Sequence, residues 1–386
     1  MKRILYISSC DPEYLNGGAI GTKKIIETLN KMQEKNKIKW YGIVNKENKS
    51  KNSEKFYKEI KRSKKRAYLS RIFGYAEQME LNIQLILTTI KNKNIDLVIL
   101  QNSRLGNISE KIKVQFPKVK IIQNFDNFEY EFSKMFTKNM NTVIRKIESL
   151  LVKKSEKKAL ENMDLGIFLT EKDKENIGSF YGVYKESEII PFIYENTFTE
   201  KEITKKNQVI FTGSLDMRAN VEACLFLIKN YKIFFEKEKI KLILAGRNPN
   251  VELYNLIEKL KLKDIEIIAN PSKEDMEILL RRSLFYISPV FDGSGMKTKF
   301  VEAIFYGLPI IASEHTMIGY SKEFKKERFI KVFKDDKDIE NICKEISELY
   351  FISQEKNINE NVREFYKLNF SKDKIIPKIE RIINEI

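Results

Sequence analysis

Three short clusters in this 386-residue chain hold residue types able to do chemistry. The richest, residues 284–313, reads LFYISPVFDGSGMKTKFVEAIFYGLPIIAS. Leu284–Val290 is an apolar run that predicts a buried parallel strand, and glycines at 293 and 295 break it. Met296–Tyr306 then has helical periodicity, stopped by Gly307 and Pro309 before a further strand over Pro309–Ala312. A glycine loop between strand and helix brings exposed backbone N–H groups to the carboxyl edge of a parallel sheet, which suits an anion such as phosphate. Lys297 and Lys299 add positive charge, and Glu302, one turn on, can accept hydrogen bonds from both hydroxyls of a ribose. The first reading is a nucleotide diphosphate site. The second is an ordinary α/β glycine loop with a solvated lysine face, and spacing alone leaves the two level.

The second cluster, VIFTGSLDMRAN at 209–220, is another strand, glycine and helix start, with Gly213, Arg218 and Asn220. Arginine there can make charge-assisted hydrogen bonds to phosphate, or it can be a surface residue beside a helix cap. The third is the opening of the chain, where a strand over Arg3–Ser8 leads through Asn16, Gly17, Gly18 and Gly21 into a helix near Thr22–Met32. It is not a clean G-x-G-x-x-G and is weak by itself.

The elements that must position these clusters alternate strand and helix. Strands are expected at Lys39–Val44, Leu97–Gln101 and Lys120–Asn124, and a helix at Leu81–Lys91, with the lysine-rich run Lys46–Arg66 as a loop or surface helix. The polar stretch Pro191–Gln208 reads as a linker, after which the pattern restarts. Strands follow at Val209–Thr212, Lys241–Ala245 and Glu266–Ala269, with helices near Val221–Tyr231, Leu253–Leu260 and Lys273–Arg282. Ser371–Ile386 closes the chain as an amphipathic helix able to pack back across the junction. The fold class is therefore α/β, with two doubly wound Rossmann-like domains facing each other across a cleft. Their bounds are 1–195 and 196–365, with 366–386 returning to the first domain.

Composition narrows the classes. Apolar content of 42% and aromatic content of 11% fit a globular protein. No run of 18 apolar residues suggests a membrane span, and the apolar start MKRILYISSC is cut off by Asp11-Pro12-Glu13, so it reads as a first strand rather than a signal peptide. Cys10, Cys224 and Cys343 are too far apart for a zinc site or a disulfide framework, which fits a reducing cytoplasm, and the single His315 has no ligand partner at metal spacing. The net charge of +16 is uneven: residues 31–66 carry 14 Lys/Arg against 4 Glu, and residues 138–158 carry 7 against 2. Such surfaces meet anionic lipid, nucleic acid or acidic saccharide, although a lysine-rich composition explains part of the excess. In 139–158, Val143, Ile144, Ile147, Leu150 and Leu151 line one side with Lys/Arg opposite, either a membrane-facing helix or a core-facing one with a solvated side.

Together, FTGSLDMRAN at 211–220, GSGMKTKFVEA at 293–303 and YGLPIIAS at 306–313 resemble the glycosyltransferase group 1 proteins, which are glycosyltransferase family 4 with a GT-B fold and a retaining mechanism. The glycine-lysine form of the loop looks like a branch found among bacterial surface-polysaccharide enzymes. The resemblance implies that Glu302 binds the donor ribose and that Arg218 and Lys297 neutralise the diphosphate leaving group. Gly17, Gly18, Gly213, Ser214, Ser294, Gly295, Met296 and Lys299 would line the donor. Many relatives have Glu where Ser294 stands, so contacts to the donor sugar differ here. KIIQNFDNFEYEF at 120–132 is similar to the family strand that ends in His-Asn-x-Glu, with Asp126 in the His position and Asn127 and Glu129 retained on the acceptor side. Asp126 can accept a proton or orient a hydroxyl but cannot donate as an imidazolium does, and a turn-capping role is its alternative.

The implied reaction moves a sugar from a nucleotide diphosphate sugar, UDP above all, to a saccharide acceptor, lipid-linked in the favoured version. Arg and Lys replace the divalent ion, so neither a metal nor a tightly bound cofactor is expected. The expected location is cytoplasmic, with peripheral contact to an anionic inner membrane face through 31–66 and 138–158. Alternatives are a soluble protein or glycan acceptor, a sugar-nucleotide epimerase on a similar scaffold, and a basic nucleic-acid-binding protein, for which no module is visible.

Overall fold

The computed structural model describes residues 1–12, 17–46, 57–137, 140–194, 203–293 and 296–386. The chain divides into two compact units, Met1–Ile193 with Ile375–Ile386, and Tyr194–Lys374.

In the first unit the elements run β1 (Lys2–Ser8), α1 (Gly17–Glu34), β2 (Ile38–Lys46), β3 (Tyr57–Lys61), α2 (Lys64–Ile72), α3 (Ile83–Lys93), β4 (Leu97–Gln101), α4 (Gly106–Gln115), β5 (Lys120–Phe125), α5 (Glu129–Phe136), α6 (Thr142–Asn162), β6 (Leu165–Phe168), α7 (Glu171–Tyr181) and β7 (Ser187–Ile189). The strands form one parallel sheet in the order β3-β2-β1-β4-β5-β6-β7. A sheet covered on both faces needs near-continuous apolar strands, and β4, LVILQ, is buried at every position. Alternate residues serve opposite faces: Ile4 and Tyr6 pack with Trp40 and Leu29 of α1, while Leu5 and Ile7 pack with Met79, Ile86 and Ile108.

The lysine-rich run departs from the sequence reading. Residues 57–61 form β3, an added edge strand paired in parallel with β2 from Gly42↔Tyr57 to Lys46↔Lys61. An edge strand tolerates charge along its open side, so buried Ile60 sits among charged residues at 58, 59 and 61 and no alternation shows in the sequence. Lys46 is itself buried, between Asp11 at 3.9 Å and Glu59 at 3.6 Å, so the 31–66 segment is not one cationic surface. Another difference lies at the first glycines: α1 starts at Gly17, which puts Gly17 and Gly18 in its first turn.

The second unit runs β8 (Gln208–Ser214), α8 (Arg218–Lys229), β9 (Lys241–Arg247), α9 (Val251–Lys259), β10 (Ile265–Ala269), α10 (Lys273–Arg282), β11 (Tyr286–Ser288), α11 (Lys299–Phe305), β12 (Ile310–Ser313), β13 (Ile330–Phe333), α12 (Ile339–Ser353) and α13 (Ile358–Phe370). Its parallel sheet has the order β10-β9-β8-β11-β12-β13. In both units the strand order reverses beside the first strand, and such a reversal opens a crevice at the carboxyl edge of the sheet. α10 carries a full capping box, Ser272 with Asp275, and α11 stops at Gly307, whose φ of +79° suits a residue without a Cβ.

The last helix, α14 (Lys372–Glu385), carries the chain back to the first unit at Ile375. Ile375, Ile379, Ile382 and Ile383 sit in the core cluster of β1, β2 and α1, and Lys2 Nζ donates to the Ile383 carbonyl at 2.8 Å.

Candidate functional site

In the second unit the carboxyl ends of β8 and β11 deliver two of the predicted clusters. Gly213 and Gly246 cross on neighbouring strands so closely that a Cβ on Gly246 would stand 1.7 Å from the Gly213 carbonyl oxygen. The room beside Gly213 holds Asn220, whose Nδ2 would lie 2.7 Å from an added Cβ and which donates to the Ser214 carbonyl at 2.9 Å. Arg247, absent from the sequence reading, ends β9 and donates to Ser214 Oγ at 3.1 Å. α8 opens at Arg218 with no side-chain cap and no acidic residue in its first turn, leaving a positive helix start. The Arg218 guanidinium is exposed and turned onto Glu222 at 2.7 Å and Glu252 at 3.5 Å, exposed pairs of the kind an incoming anion displaces at little cost.

Gly293, with φ of +103°, anchors the other loop. Its carbonyl accepts from Lys297 Nζ at 2.8 Å and lies 2.7 Å from His315 Nε2. A Cβ at Gly293 would meet Lys297 Nζ at 3.4 Å and the Ala219 methyl at 3.9 Å, so this loop packs beside the start of α8, next to Arg218. Lys297 is further held by Tyr320, whose hydroxyl donates to the Lys297 carbonyl at 2.9 Å. Ser294 and Gly295 lie outside the described residues. Met296 precedes a helix that begins only at Lys299 and has seven residues, shorter than the Met296–Tyr306 helix expected from periodicity.

Glu302 is buried on α11, and Lys299 Nζ stands 2.5 Å from its Oε2. Tyr194 flanks the same place: its hydroxyl is 3.4 Å from that of Tyr306, and its carbonyl accepts from the Tyr366 hydroxyl of α13. Burial, then the nearby Glu302 charge, holds the Tyr194 phenol above its ordinary range.

In the first unit, Asp126 follows β5 at the sheet's own switch point, next to the paired ends of β1 and β4, where Ser8 is in register with Gln101. Gln101 Nε2 donates to Asp126 Oδ1 at 2.6 Å, while Asp126 Oδ2 is buried and, among the described residues, has no partner at hydrogen-bond distance. A Cβ on Gly21 would lie 3.6 Å from Asp126 Oδ1, so the glycine-bearing start of α1 packs against this carboxylate. Burial, then the charge of Glu129, pushes Asp126 up to about 7, against the Gln101 hydrogen bond and the attraction of Lys24. Lys24, from α1, is in turn lowered to about 8 by burial. A carboxyl that titrates near neutrality and keeps one oxygen unengaged is suited to taking a proton or a hydrogen bond from a hydroxyl.

Asn127 and Glu129 stand together with it. Asn127 Nδ2 is 3.4 Å from Glu129 Oε1, which also accepts from Asn102 Nδ2 at 3.0 Å, and Glu129 Oε2 accepts from Arg104 Nε at 2.8 Å. The start of α5 is not open to a ligand: buried Glu156 accepts the backbone N–H groups of Glu129 and Tyr130, at 2.9 and 3.1 Å. The structure thus groups Asp126, Asn127 and Glu129 in one unit, and Gly213, Ser214, Arg218, Lys297, Lys299 and Glu302 along one sheet edge of the other. Gln101, Lys24, Arg104, Arg247 and Tyr194 were not read from the sequence as site residues, and His315 was read only as a histidine without metal partners. Gln101 had a signal, as the polar last residue of a wholly apolar strand. Among the described residues no three His, Cys, Asp or Glu side chains are grouped to hold a metal ion, and no helix is long and apolar enough to cross a membrane.

Residues 206–350, most of the second unit, match the family model of glycosyl transferases group 1. A Klebsiella pneumoniae protein described as an uncharacterized 44.6 kDa protein in the cps region is 25% identical over 303 residues, covering 75% of this chain and 74% of that one. A glycosyltransferase from Rickettsia africae superposes with a TM-score of 0.67 at 17% identity, over 100% of this chain and 98% of its own. Anabaena Alr3699/HepE, solved in complex with UDP, gives 0.68 at 11% identity over 100% of both chains.

Proposed function

We propose, from the premise that this chain is a glycosyltransferase of group 1 with the GT-B fold, that it transfers a sugar from a nucleotide diphosphate sugar to a saccharide acceptor with retention at the anomeric carbon. The observation that carries this reading is the edge of the second sheet. There a positive, uncapped start of α8 lies beside the Gly293 loop and Lys297, and the buried carboxylate of Glu302 lies at the end of the same segment. Cations and backbone N–H groups stabilise a departing diphosphate, and a buried carboxylate that keeps acceptor capacity pairs with ribose hydroxyls. UDP is the favoured nucleotide, supported by the bound UDP of the Anabaena protein.

In the proposed step the acceptor oxygen bonds to the anomeric carbon on the face from which the diphosphate leaves. The bond from that carbon to the phosphate oxygen breaks with its electron pair, and the acceptor proton passes to the leaving phosphate. Arg218 and Lys297 take the place of a divalent ion as charge partners, and no tightly bound cofactor enters. Asp126, Asn127 and Glu129 form the proposed acceptor side, with Asp126 holding the nucleophilic hydroxyl through Oδ2. The cps-region setting of the Klebsiella relative supports polysaccharide or glycoconjugate synthesis. The acceptor in this proposal is lipid-linked and lies at the cytoplasmic face of a membrane.

The test is turnover and thermal shift across UDP-, GDP- and ADP-sugars with and without a chelator, followed by the product anomer by NMR. Stabilisation by one nucleotide class, insensitivity to chelator and a retained anomer are expected. An inverted anomer or a strict metal requirement would refute the mechanism proposed for this site.

A further inference from the structure

Large apolar side chains left in water are spread singly over most of this protein, except in one place. Of the twenty exposed large hydrophobics among the described residues, nine lie on α2 with the residue that follows it, and on the first half of α6 with Met140 two residues before it. On α6 and its approach, Met140, Val143, Ile144, Ile147 and Leu150 recur every three or four residues as one stripe, with Val143 at 64% and Leu150 at 61% exposure. The second half of this helix is ordinary: Val152, Ser155, Glu156, Ala159 and Leu160 are buried. From α2 come Tyr68 at 73%, Ile72 at 63% and Phe73 at 62%, with Leu69 between them.

The two helices are fastened side by side. Arg71 grips Glu148 through two parallel hydrogen bonds of 2.9 Å, from Nε and Nη2. This places the apolar end of α2 beside the apolar stripe of α6, making a contiguous patch rather than scattered exposure. The polar residues around it have one sign. Residues 64–73 and 140–154 contain eight Lys/Arg and a single carboxylate, Glu148, which is consumed by Arg71 and by Arg104 at 2.9 Å. Apolar groups ringed by lysine and arginine, with no uncommitted acid, match the interface of a bilayer with anionic headgroups: the apolar side chains enter the acyl boundary while the cations meet phosphate.

From this we infer that the α2–α6 face is the surface by which the protein docks on an anionic lipid bilayer. The inference rests on the proposed lipid-linked acceptor only for its biological sense; the surface itself is argued from exposure and charge. It also moves the contact from the charge-rich 31–66 segment to α2 and narrows the 138–158 segment to the first half of α6. The geometry gives docking a use. Glu148 also holds Arg104, and Arg104 Nε donates to Glu129 at 2.8 Å, so a continuous ion-pair line runs from the docking face to the acceptor-side carboxylate. A bilayer at this face therefore stands at a fixed offset from Asp126, Asn127 and Glu129.

The test is flotation of the full chain with vesicles of phosphatidylcholine alone or mixed with phosphatidylglycerol, beside light scattering for the oligomeric state. The parent is expected to float with the anionic mixture at low salt and to stay behind with phosphatidylcholine. The variant I144S/I147S/L150S should partition about tenfold less. Because these side chains face water, it should melt with the parent and keep the same donor hydrolysis rate. Failure of the parent to float, or equal flotation of the variant, overturns the inference. A parent dimer that the same substitutions turn into a monomer also overturns it, by making the face a contact between copies. Nucleotide-sugar turnover without flotation would sink the docking surface alone, and flotation without turnover on any nucleotide sugar would sink the proposed reaction alone.

Discussion

Lys299 Nζ lies 2.5 Å from Glu302 Oε2, so the carboxylate proposed for the ribose is held by its own helix before any donor arrives. Lys299 is half-exposed and Glu302 buried, which makes the lysine the partner that can leave. Ribose hydroxyls would take over hydrogen bonds to a charged acceptor, each worth about 1.5–3 kcal/mol. Glu302→Ala should weaken UDP binding about 10- to 100-fold by calorimetry, whereas Lys299→Met should change it by no more than about threefold. UDP binding unchanged in Glu302→Ala would overturn the ribose assignment.

Asp126 makes a kinetic prediction. With its carboxyl pushed up to about 7, the charged form that accepts a hydrogen bond from the acceptor hydroxyl becomes dominant only above neutrality. Transfer should therefore fall on the acid side of about pH 7. Asp126→Asn should lower kcat by about a hundredfold or more, abolish that acid limb and leave donor affinity unchanged. A variant that keeps the limb would assign it to another group.

The first unit should lose stability as pH rises. Burial pushes Glu80 up to about 8 and Glu156, like Asp126, up to about 7, although each accepts several hydrogen bonds. An unfolded carboxyl titrates near about 4.3, so between that pH and about 8 the folded state holds a proton at Glu80 that the unfolded state has released. The stabilisation is complete below about pH 4.3 and is lost as pH climbs through about 8. Glu80→Gln should flatten part of this slope in denaturation curves taken between pH 5 and 8, whatever it does to absolute stability, because its amide cannot accept from Ala76, Asn107 N and Asn107 Nδ2 together. An unchanged slope would place the proton elsewhere.

Gly106 sets the separation of α4 and α6. Its N–H donates to Ser155 Oγ at 2.9 Å, and a Cβ there would fall 1.8 Å from the Ser155 carbonyl oxygen. Both atoms are fixed by helices, so Gly106→Ala should cost about 3 kcal/mol or more and lower the melting temperature clearly. A near-neutral result would mean that α6 shifts freely along α4.

The sequence made the second unit more legible than the first. Leu97–Gln101 and Lys273–Arg282 occur with the bounds expected from their patterns, because each combines a clear period with a stop signal. β3 was invisible, since a five-residue edge strand, YKEIK, with charged residues on both sides of Ile60 has no period to read. The grouping of Asp126, Asn127 and Glu129 follows from their adjacency in the chain. What surrounds them does not: Gln101, Lys24 and Arg104 arrive from three other elements, and only the strand order brings them near. His315 shows the same limit. Reading it for metal spacing missed that its ring reaches 22 residues back to the Gly293 carbonyl.

The helix that returns at Ile375 also fixes an order of events in the cell. A ribosome releases β1, β2 and α1 hundreds of residues before the four isoleucines that complete their core. Until then that face of the nascent sheet is covered only in part, by α1, while the whole second unit is made and can fold. The core of the first unit is thus complete only after the whole second unit has been translated.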